Sequence, residues 1–251
     1  IVGEGMKARA EITDFWPMVF NPSSVDRLSH VIVGAFLAGS FLVLSVHAYY
    51  ILKRRHVELS QKAFKIALAI ATVAGLTQLF TGHRSADGVA VNQPAKLAAF
   101  EGHYDSLAVA DMYLMGYVNQ STEQIMGLYI PKGLTFLLHQ DFTTPVRGLN
   151  SFPKNDRPLQ INAVFQFYHL MVASGMFMIG LTLFSVFLWW RGKLFQYSWL
   201  MLTYAFAVVV PQLANQCGWF AAEMGRQPWV VYGLLRTSDA LSKSVKAEQI
   251  L

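Results

Sequence analysis

The sequence predicts an all-α integral membrane protein, a helical bundle of about four transmembrane helices with a long external loop between the second and the third. The first observation is composition: 54% of the 251 residues are hydrophobic and only 14% are charged, whereas soluble domains carry about 25% charged residues. The second is a set of long uncharged runs, each able to cross about 30 Å of hydrocarbon. The third is the uneven distribution of Lys and Arg along the chain.

The predicted transmembrane helices follow the uncharged runs. Four runs are long enough at 1.5 Å per residue, and they cover residues 31–52, 64–80, 163–190 and 196–222. The last run contains Pro211, which predicts a kink because proline cannot complete the helical hydrogen-bond ladder.

The basic residues predict the orientation of these helices. The connection at 53–65 carries five Lys or Arg and one Glu, and the short connection at 191–193 reads RGK. The positive-inside rule places both connections in the cytoplasm. The segment 81–160 holds six Lys or Arg and seven Asp or Glu, so we expect it outside. The net charge of +5 therefore reports topology, and no nucleic-acid partner is expected.

One membrane domain with three regions follows from this pattern. They are a periplasmic segment with two helices at 1–80, an external loop at 81–162, and two further helices with a GRQPW segment and a polar tail at 163–251. A loop of about eighty residues is too long for a simple connector, and apolar pieces within it indicate that it is folded. The chain begins with Ile1 and stops after a polar tail, so we expect a portion of a larger subunit.

Three residues near the end of the last helix suggest a site. Trp219, Glu223 and Arg226 are spaced i, i+4 and i+7, so they share one helical face. A carboxylate at this position is often only an interfacial anchor. However, intramembrane charges frequently mark functional sites.

A histidine and a methionine are predicted to lie at the same depth of the membrane. His30 and Met171 are separated by 23 and 20 residues from the basic ends at Lys53 and Arg191. Such a pair could supply the two axial ligands of a low-spin haem iron. The alternative is an interfacial polar residue and a core methionine, which spacing alone does not exclude.

The external loop contains a cation and a carboxylate in QPAKLAAFEG. Lys96 and Glu101 lie five residues apart, and such a pair suits a quinol headgroup, which needs hydrogen-bond partners and a proton acceptor. The alternative is an ordinary surface helix with solvated charges.

Together, QPAKLAAFEG, GWFAAEMGRQPW and RLSH before an apolar span resemble subunit I of cytochrome bd quinol oxidases, across essentially the whole chain. The resemblance implies that His30 and Met171 ligate low-spin haem b and that Glu223 ligates a high-spin haem b beside haem d. It further implies that Trp219 lies between the haems, that Arg226 lies near haem propionates, and that Lys96 and Glu101 bind quinol in the external Q-loop.

The resemblance also implies the activity. Quinol would give electrons through haem b to a di-haem site that reduces O2 to water, and a proton gradient would form without a dedicated pump. The expected location is a bacterial inner (plasma) membrane, among lipids. The expected partners are the missing N-terminal half of subunit I, subunit II and small accessory subunits.

Three departures from the family pattern and two other functions remain open. The Q-loop is of the short kind, without the insertion that some members carry between TTPVRGL and NDRP. The first four helices of the family are not part of this sequence, which resembles the C-terminal portion of the subunit, and His169 replaces an arginine that some members carry two residues before the methionine ligand. One alternative function is a non-catalytic haem-binding paralogue, or half of a split oxidase subunit. The other is a transporter, which predicts midplane charges or inverted repeats, and the sequence contains neither.

Overall fold

A computed structural model describes residues 11–12, 14–106 and 109–240, so the outermost parts of the predicted N-terminal segment and tail lie outside the described residues. The helices are α1 (Phe15–Val19), α2 (Ser24–Leu52), α3 (Val57–Asn92), α4 (Pro94–Glu101), α5 (Gly133–His139), α6 (Ile161–Trp190), α7 (Ser198–Phe206) and α8 (Val209–Gly225). The strands are β1 (Met112–Asn119), β2 (Gln124–Ile130), β3 (Trp229–Val231) and β4 (Leu235–Arg236).

The predicted all-α class is confirmed. Four helical segments of the described residues, α2, α3, α6 and α7 with α8, are long and apolar enough to cross a membrane. Their most apolar windows are only 33–39% buried within the chain. Helices that are apolar on all sides bury the remaining surface against lipid or other helices.

The second spanning helix is longer than the predicted span at 64–80. Helix α3 continues to Asn92, so the non-helical part of the loop starts at Gln93 rather than at residue 81. The additional turns pack on the start of α2, where Arg84 pairs with Asp26 at 3.4 Å. The run of apolar residues stops where the helix leaves the membrane, but the helix itself continues. The apolar pattern therefore did not predict its last turns.

The two basic connections lie at one end of the bundle. Lys65, at the start of α3, places its ammonium 5.8 Å from the ring centre of Trp189 at the end of α6. It also lies 5.7 Å from the ring centre of Phe195, in the connection that follows. The helix ends that carry the predicted site residues therefore lie together at the opposite end.

Helix α7 ends and α8 begins at the break predicted from Pro211. Two residues between them, 207 and 208, are turns rather than helix. Proline has no N–H to offer the carbonyl four residues earlier, and that carbonyl, on Ala207, accepts from Val210 instead. The carbonyl of Ala205 accepts a 2.7 Å hydrogen bond from Ser45 of α2, so a backbone group near the break finds a partner inside the bundle.

Two large apolar clusters hold the fold together. The cluster toward the basic end joins α2, α3, α6 and α7 around the fully buried Phe41, Phe64 and Tyr204. The cluster at the opposite end joins α4, α6, α8 and β1 around Phe165 and Val118. The second cluster attaches the external loop to the bundle.

The external loop is an ordered structure. Strands β1 and β2 form an antiparallel hairpin, and the segment around Gly148 returns against the end of α4, where Leu149 and Asn150 donate to the carbonyls of His103 and Tyr104. A Cβ added at Gly148 would lie 2.4 Å from the backbone of Tyr104 and Asp105. Only glycine fits this contact.

We predict that Gly148→Ala opens the external loop. The backbone of Gly148 is compatible with alanine (φ −91°), so the change isolates the steric clash, which should cost about 1–3 kcal/mol. Limited proteolysis in native membranes should then cleave the loop faster. Gly180→Ala is the matched control, because a Cβ there has no neighbour within 4 Å, and equal protection of both variants would contradict the prediction.

Candidate functional site

His30 lies in the second turn of α2 and contacts α3. Its Nδ1 donates to Thr81 Oγ1 at 3.2 Å, because the Thr81 hydroxyl hydrogen is directed to the Gln78 carbonyl. The Gln78 amide nitrogen lies 3.2 Å from Nδ1 and 3.0 Å from Nε2. In the tautomer that carries its hydrogen on Nδ1, the lone pair on Nε2 could bind a metal, and the Gln78 amide, which lies against it here, would have to move aside.

Met171 lies in α6 and contacts α8. A Cβ added at Gly218 would lie 2.7 Å from Met171 Sδ, so the sulfur sits directly on the backbone of α8. The pairing of His30 with Met171 as ligands of one iron stays a prediction.

Glycines line the helices around these two side chains. Gly82 faces the ring of His30, and Gly34 lies between Gln78 and Asn215 of α8. Glycine inside a helix costs about 1 kcal/mol relative to alanine, so its placement beside both predicted ligands indicates a need for space. Buried Gln78 Oε1 also lacks a hydrogen-bond partner among the described residues. These features fit a flat cofactor.

A metal site made of protein groups alone is not found in the described part of the chain. No group of three or more His, Cys, Asp or Glu there could hold a metal ion. A haem needs no such group, because the porphyrin nitrogens supply four ligands and the protein one or two.

The predicted quinol residues are both buried. Lys96 is 5% exposed and Glu101 is 4% exposed, so the interpretation of α4 as a surface helix with solvated charges is wrong. Burial, and after it the charge of Arg27, lowers the pKa of Lys96 to about 8. Burial also raises the pKa of Glu101 to about 7.

Aromatic side chains cover these two residues. The Lys96 ammonium lies 5.5 Å from the ring centre of Phe100. That ring stacks on Tyr168 of α6, with centres 4.6 Å apart and planes 8° from parallel. Tyr168 also lies close enough to Glu101 to lower the pKa of its carboxyl group against the larger, raising effect of burial, so α6 packs against the end of α4 that carries Glu101.

Gly225, the last residue of α8, allows α4 to approach. A Cβ at this position would lie 3.1 Å from Phe100, 3.2 Å from Lys96 and 3.3 Å from Val164. The contact brings Lys96 close enough to Glu223 and Arg226 for their charges to act on its pKa. The loop residues and the end of α8 therefore form one site.

Glu223 and Arg226 pair with each other. Both Nε and a terminal nitrogen of Arg226 lie 2.7 Å from Glu223 Oε2, and both side chains are partly exposed. Trp219, one turn earlier, is 59% exposed and contacts Phe220. The exposed face of the Trp219 ring is therefore accessible to a partner or cofactor beside the Glu223–Arg226 pair.

His169 contacts the external hairpin. Its Nε2 lies 2.7 Å from the carbonyl of Tyr113 in β1, and its Nδ1 lies 2.9 Å from the carbonyl of Phe165. The ring also stacks on Phe165 at 3.9 Å. His169 thus links α6 to the loop two residues before Met171.

Several residues of this site were not found from the sequence. Tyr168 and Thr81 belong to none of the motifs described above, and Gly225 was not singled out within its motif, so only their contacts identify them. Two signals were present: Tyr168 lies three residues before Met171 on the same helix, and Gly225 stands inside the GRQPW motif.

Comparisons with known proteins agree with the resemblance. Residues 2–251 match the family model described as cytochrome bd terminal oxidase subunit I. The chain is 32% identical over 253 residues to cytochrome bd ubiquinol oxidase subunit 1 of Bacillus subtilis (strain 168), covering 97% of this chain and 54% of that protein. It is 25% identical over 300 residues to cytochrome bd-II ubiquinol oxidase subunit 1 of Escherichia coli (strain K12), covering 93% and 58%.

A solved structure has the same fold. The bd oxidase from Geobacillus thermodenitrificans superimposes with a TM-score of 0.83 at 25% identity, over 94% of this chain and 54% of that chain. The chain spans about half the length of the curated relatives that it matches.

Proposed function

The chain belongs to the cytochrome bd terminal oxidase subunit I family, and on that premise we propose that it is part of subunit I of a quinol oxidase that reduces O2 to water. Quinol gives its electrons at the external face and releases its protons there. Protons for water formation come from the cytoplasm, so a gradient forms without a pump.

The observation that carries this proposal is the burial of Lys96 and Glu101 against the end of α8. A buried cation and a buried carboxylate cost free energy unless they serve a partner. Here Lys96 contacts Gly225 of α8 and lies close enough to Glu223 and Arg226 for their charges to act on its pKa. A site that combines a proton acceptor with an adjoining redox centre is what quinol oxidation requires.

Lys96 and Glu101 bind the quinol headgroup in the Q-loop. The Lys96 ammonium donates to one headgroup oxygen, and the Glu101 carboxylate accepts from a hydroxyl of quinol. Burial keeps water from competing for these hydrogen bonds and strengthens them.

His30 and Met171 hold the low-spin haem b. When bound, this haem supplies the one-electron chemistry that the side chains lack. Thr81 orients the His30 ring through Nδ1, and Nε2 would bind the iron in place of its contact with the Gln78 amide. The lack of a side chain at Gly218 lets the Met171 sulfur lie against α8.

Glu223 would hold the iron of the high-spin haem b, beside haem d. Both Arg226 contacts end on Oε2, which leaves Oε1 for a metal. Arg226 keeps further N–H donors that would bind haem propionates, and the exposed ring of Trp219 would lie between the haems.

The chain works within a larger complex in a bacterial inner membrane, with the loop on the periplasmic side. The expected partners are the N-terminal half of subunit I, subunit II and accessory subunits. Large apolar side chains that are exposed on the helices, such as Phe36, Ile66 and Phe206, face these partners or lipid.

We predict that Met171→Leu removes the low-spin haem signal from the assembled oxidase. Leucine keeps the volume within α6 but has no sulfur to bind iron. The reduced absorption band of the low-spin haem should be lost or shifted, while circular dichroism shows unchanged helix content.

Met178→Leu is the control for this variant. Met178 lies two turns further along α6 and is 3% exposed in the apolar core. If Met171→Leu, like Met178→Leu, gives the spectrum of the unchanged protein, Met171 only packs in the apolar core and does not bind the iron.

We predict that quinol oxidation is fastest between about pH 7 and pH 8. Below about pH 7 Glu101 binds a proton and cannot accept another, because its pKa is raised to about 7. Above about pH 8 Lys96 loses its charge, because its pKa is lowered to about 8. Stopped-flow reduction of the low-spin haem by quinol, followed across this pH range, measures both the fall in rate at low pH (the acid limb) and the fall at high pH (the alkaline limb).

Two variants separate these limbs. Lys96→Arg keeps the charge at high pH and should extend the alkaline limb, whereas Glu101→Gln should abolish the acid limb and slow the reaction by about 100-fold, the typical contribution of a general base. An artificial donor that bypasses the loop should show neither effect. Equal losses with both donors would mean that Lys96 and Glu101 are structural.

We predict that Glu223→Ala abolishes O2 reduction but leaves the low-spin haem reducible by quinol. The variant removes the proposed iron ligand and leaves Arg226 without its partner. The purified oxidase should also lose the high-spin haem spectrum. Glu58→Ala is the control, since Glu58 is exposed and pairs with Lys62 in the first turns of α3. Normal turnover and spectrum in Glu223→Ala would support an interfacial anchor instead.

A further inference from the structure

One face of the hairpin formed by β1 and β2 packs against the rest of the chain. Val118 is fully buried, and its cross-strand partner Ile125 is partly buried. Both side chains lie against Gly102 at the end of α4, where an added Cβ would lie 2.7 Å from Val118 and 3.1 Å from Ile125. This inner face attaches the hairpin to α4.

The opposite face of the hairpin is apolar and exposed. Cross-strand partners place their side chains on the same face, and two such pairs form what we call the outer face: Met115 with Leu128, and Tyr117 with Met126. All four side chains are more than half exposed. A contiguous apolar patch of this kind marks a contact with another protein or with a membrane.

One face of α6 fixes the direction of the hairpin. Three of its side chains, spaced i, i+4 and i+7, contact the backbone of β1. They are Asn162 Oδ1 with the N–H of Val118 (2.9 Å), Gln166 Nε2 with the carbonyl of Gly116 (2.6 Å) and His169 Nε2 with the carbonyl of Tyr113 (2.7 Å). As α6 runs toward the basic end, it therefore meets β1 from its end back to its start. The tip of the hairpin lies furthest from the membrane.

The same contacts give the depth of the hairpin. His169 and Asn162 precede Arg191, at the basic end, by 22 and 29 residues, which is about 33 Å and about 44 Å of helix. The hydrocarbon core is about 30 Å thick, and the bilayer with both headgroup layers is about 40–45 Å thick. The start of β1 and the end of β2 therefore lie at the level of the headgroups, and the tip lies in water.

The polarity of the hairpin changes in the same direction. The tip, residues 119–124, reads NQSTEQ, and Glu123 is the only charged residue between Met112 and Ile130. In the described part of the chain β2 has no second strand beside it. Headgroups and water can satisfy such an open edge, whereas hydrocarbon cannot. A protein partner would not require polarity to change with depth, so these observations favour lipid.

We propose that the outer face of the hairpin contacts lipid in the headgroup layer and holds the external loop against the membrane. Met115 and Leu128 lie next to the ends of the acyl chains. Tyr117 and Met126 lie nearer to water, at a level where tyrosine is common in membrane proteins. The hairpin thus gives the loop an attachment to the bilayer in addition to α3 and α6.

Nitroxide labels at three positions test this proposal in the assembled oxidase, reconstituted in phosphatidylcholine vesicles. Leu128→Cys and Met126→Cys place a label on the outer face, and Thr122→Cys places the control label on the tip. All three side chains are exposed, so a label displaces no packed group. Cys217 is buried, and the unchanged complex treated with the same reagent supplies the background signal.

Power saturation compares the collisions of each label with O2, which concentrates in lipid, and with a water-soluble Ni(II) complex. The ratio of O2 to Ni(II) collisions should be highest at Leu128, lower at Met126 and lowest at Thr122. At Leu128 collisions with O2 should exceed those with Ni(II), and at Thr122 the order should be reversed.

Two results overturn the proposal. If neither reagent reaches the labels at Leu128 and Met126, a protein partner covers the outer face. If the Ni(II) complex reaches them as readily as it reaches the label at Thr122, water covers it. The measurement does not depend on quinol oxidation, so it decides the lipid contact whether or not the proposed function holds.

Discussion

The close approach of α4 to α8 at Gly225 is the contact on which the site depends. A Cβ at this position would lie 3.1–3.3 Å from Phe100, Lys96 and Val164, so these neighbours would have to shift. The close packing at Gly225 helps to bury Lys96, and a charge separated from water by packed side chains responds to neighbours that solvent would otherwise screen.

The site also shows how a membrane protein places charge at a helix end. Glu223 and Arg226 lie in the last turn of α8 and at its end, where Arg226 can reach both a carboxylate and the backbone carbonyl of Trp229. The charge of the Glu223 carboxylate is therefore balanced by Arg226, although the side chain is still partly exposed. Such an arrangement lets a cofactor replace part of the pairing without leaving a bare charge in a medium of low dielectric constant.

The sequence predicted the helices well and the loop poorly, for one physical reason. Spans are detected by apolar composition, which lipid imposes on every exposed helical side chain. The loop is organised by contacts between distant residues, such as Gln166 of α6 donating to the carbonyl of Gly116 in β1. The candidate site shows the same division: Lys96, Glu101 and Glu223 were singled out from the sequence because charged residues are rare near the membrane, whereas Tyr168 looks like any other aromatic residue of an apolar helix.

Helix α3 is long enough to carry the site beyond the membrane. Its 36 residues extend about 54 Å at 1.5 Å per residue, against about 30 Å of hydrocarbon. Helix α4 follows it after a single residue, Gln93, so the height and direction of α4 are set by the helical repeat of α3. An insertion of one residue within the last turns of α3 would rotate α4 by about 100°, whereas insertions near the tip of the hairpin would leave it in place. Insertions at the far end of this loop would therefore preserve the position of α4, whereas insertions at the end that joins α3 would not.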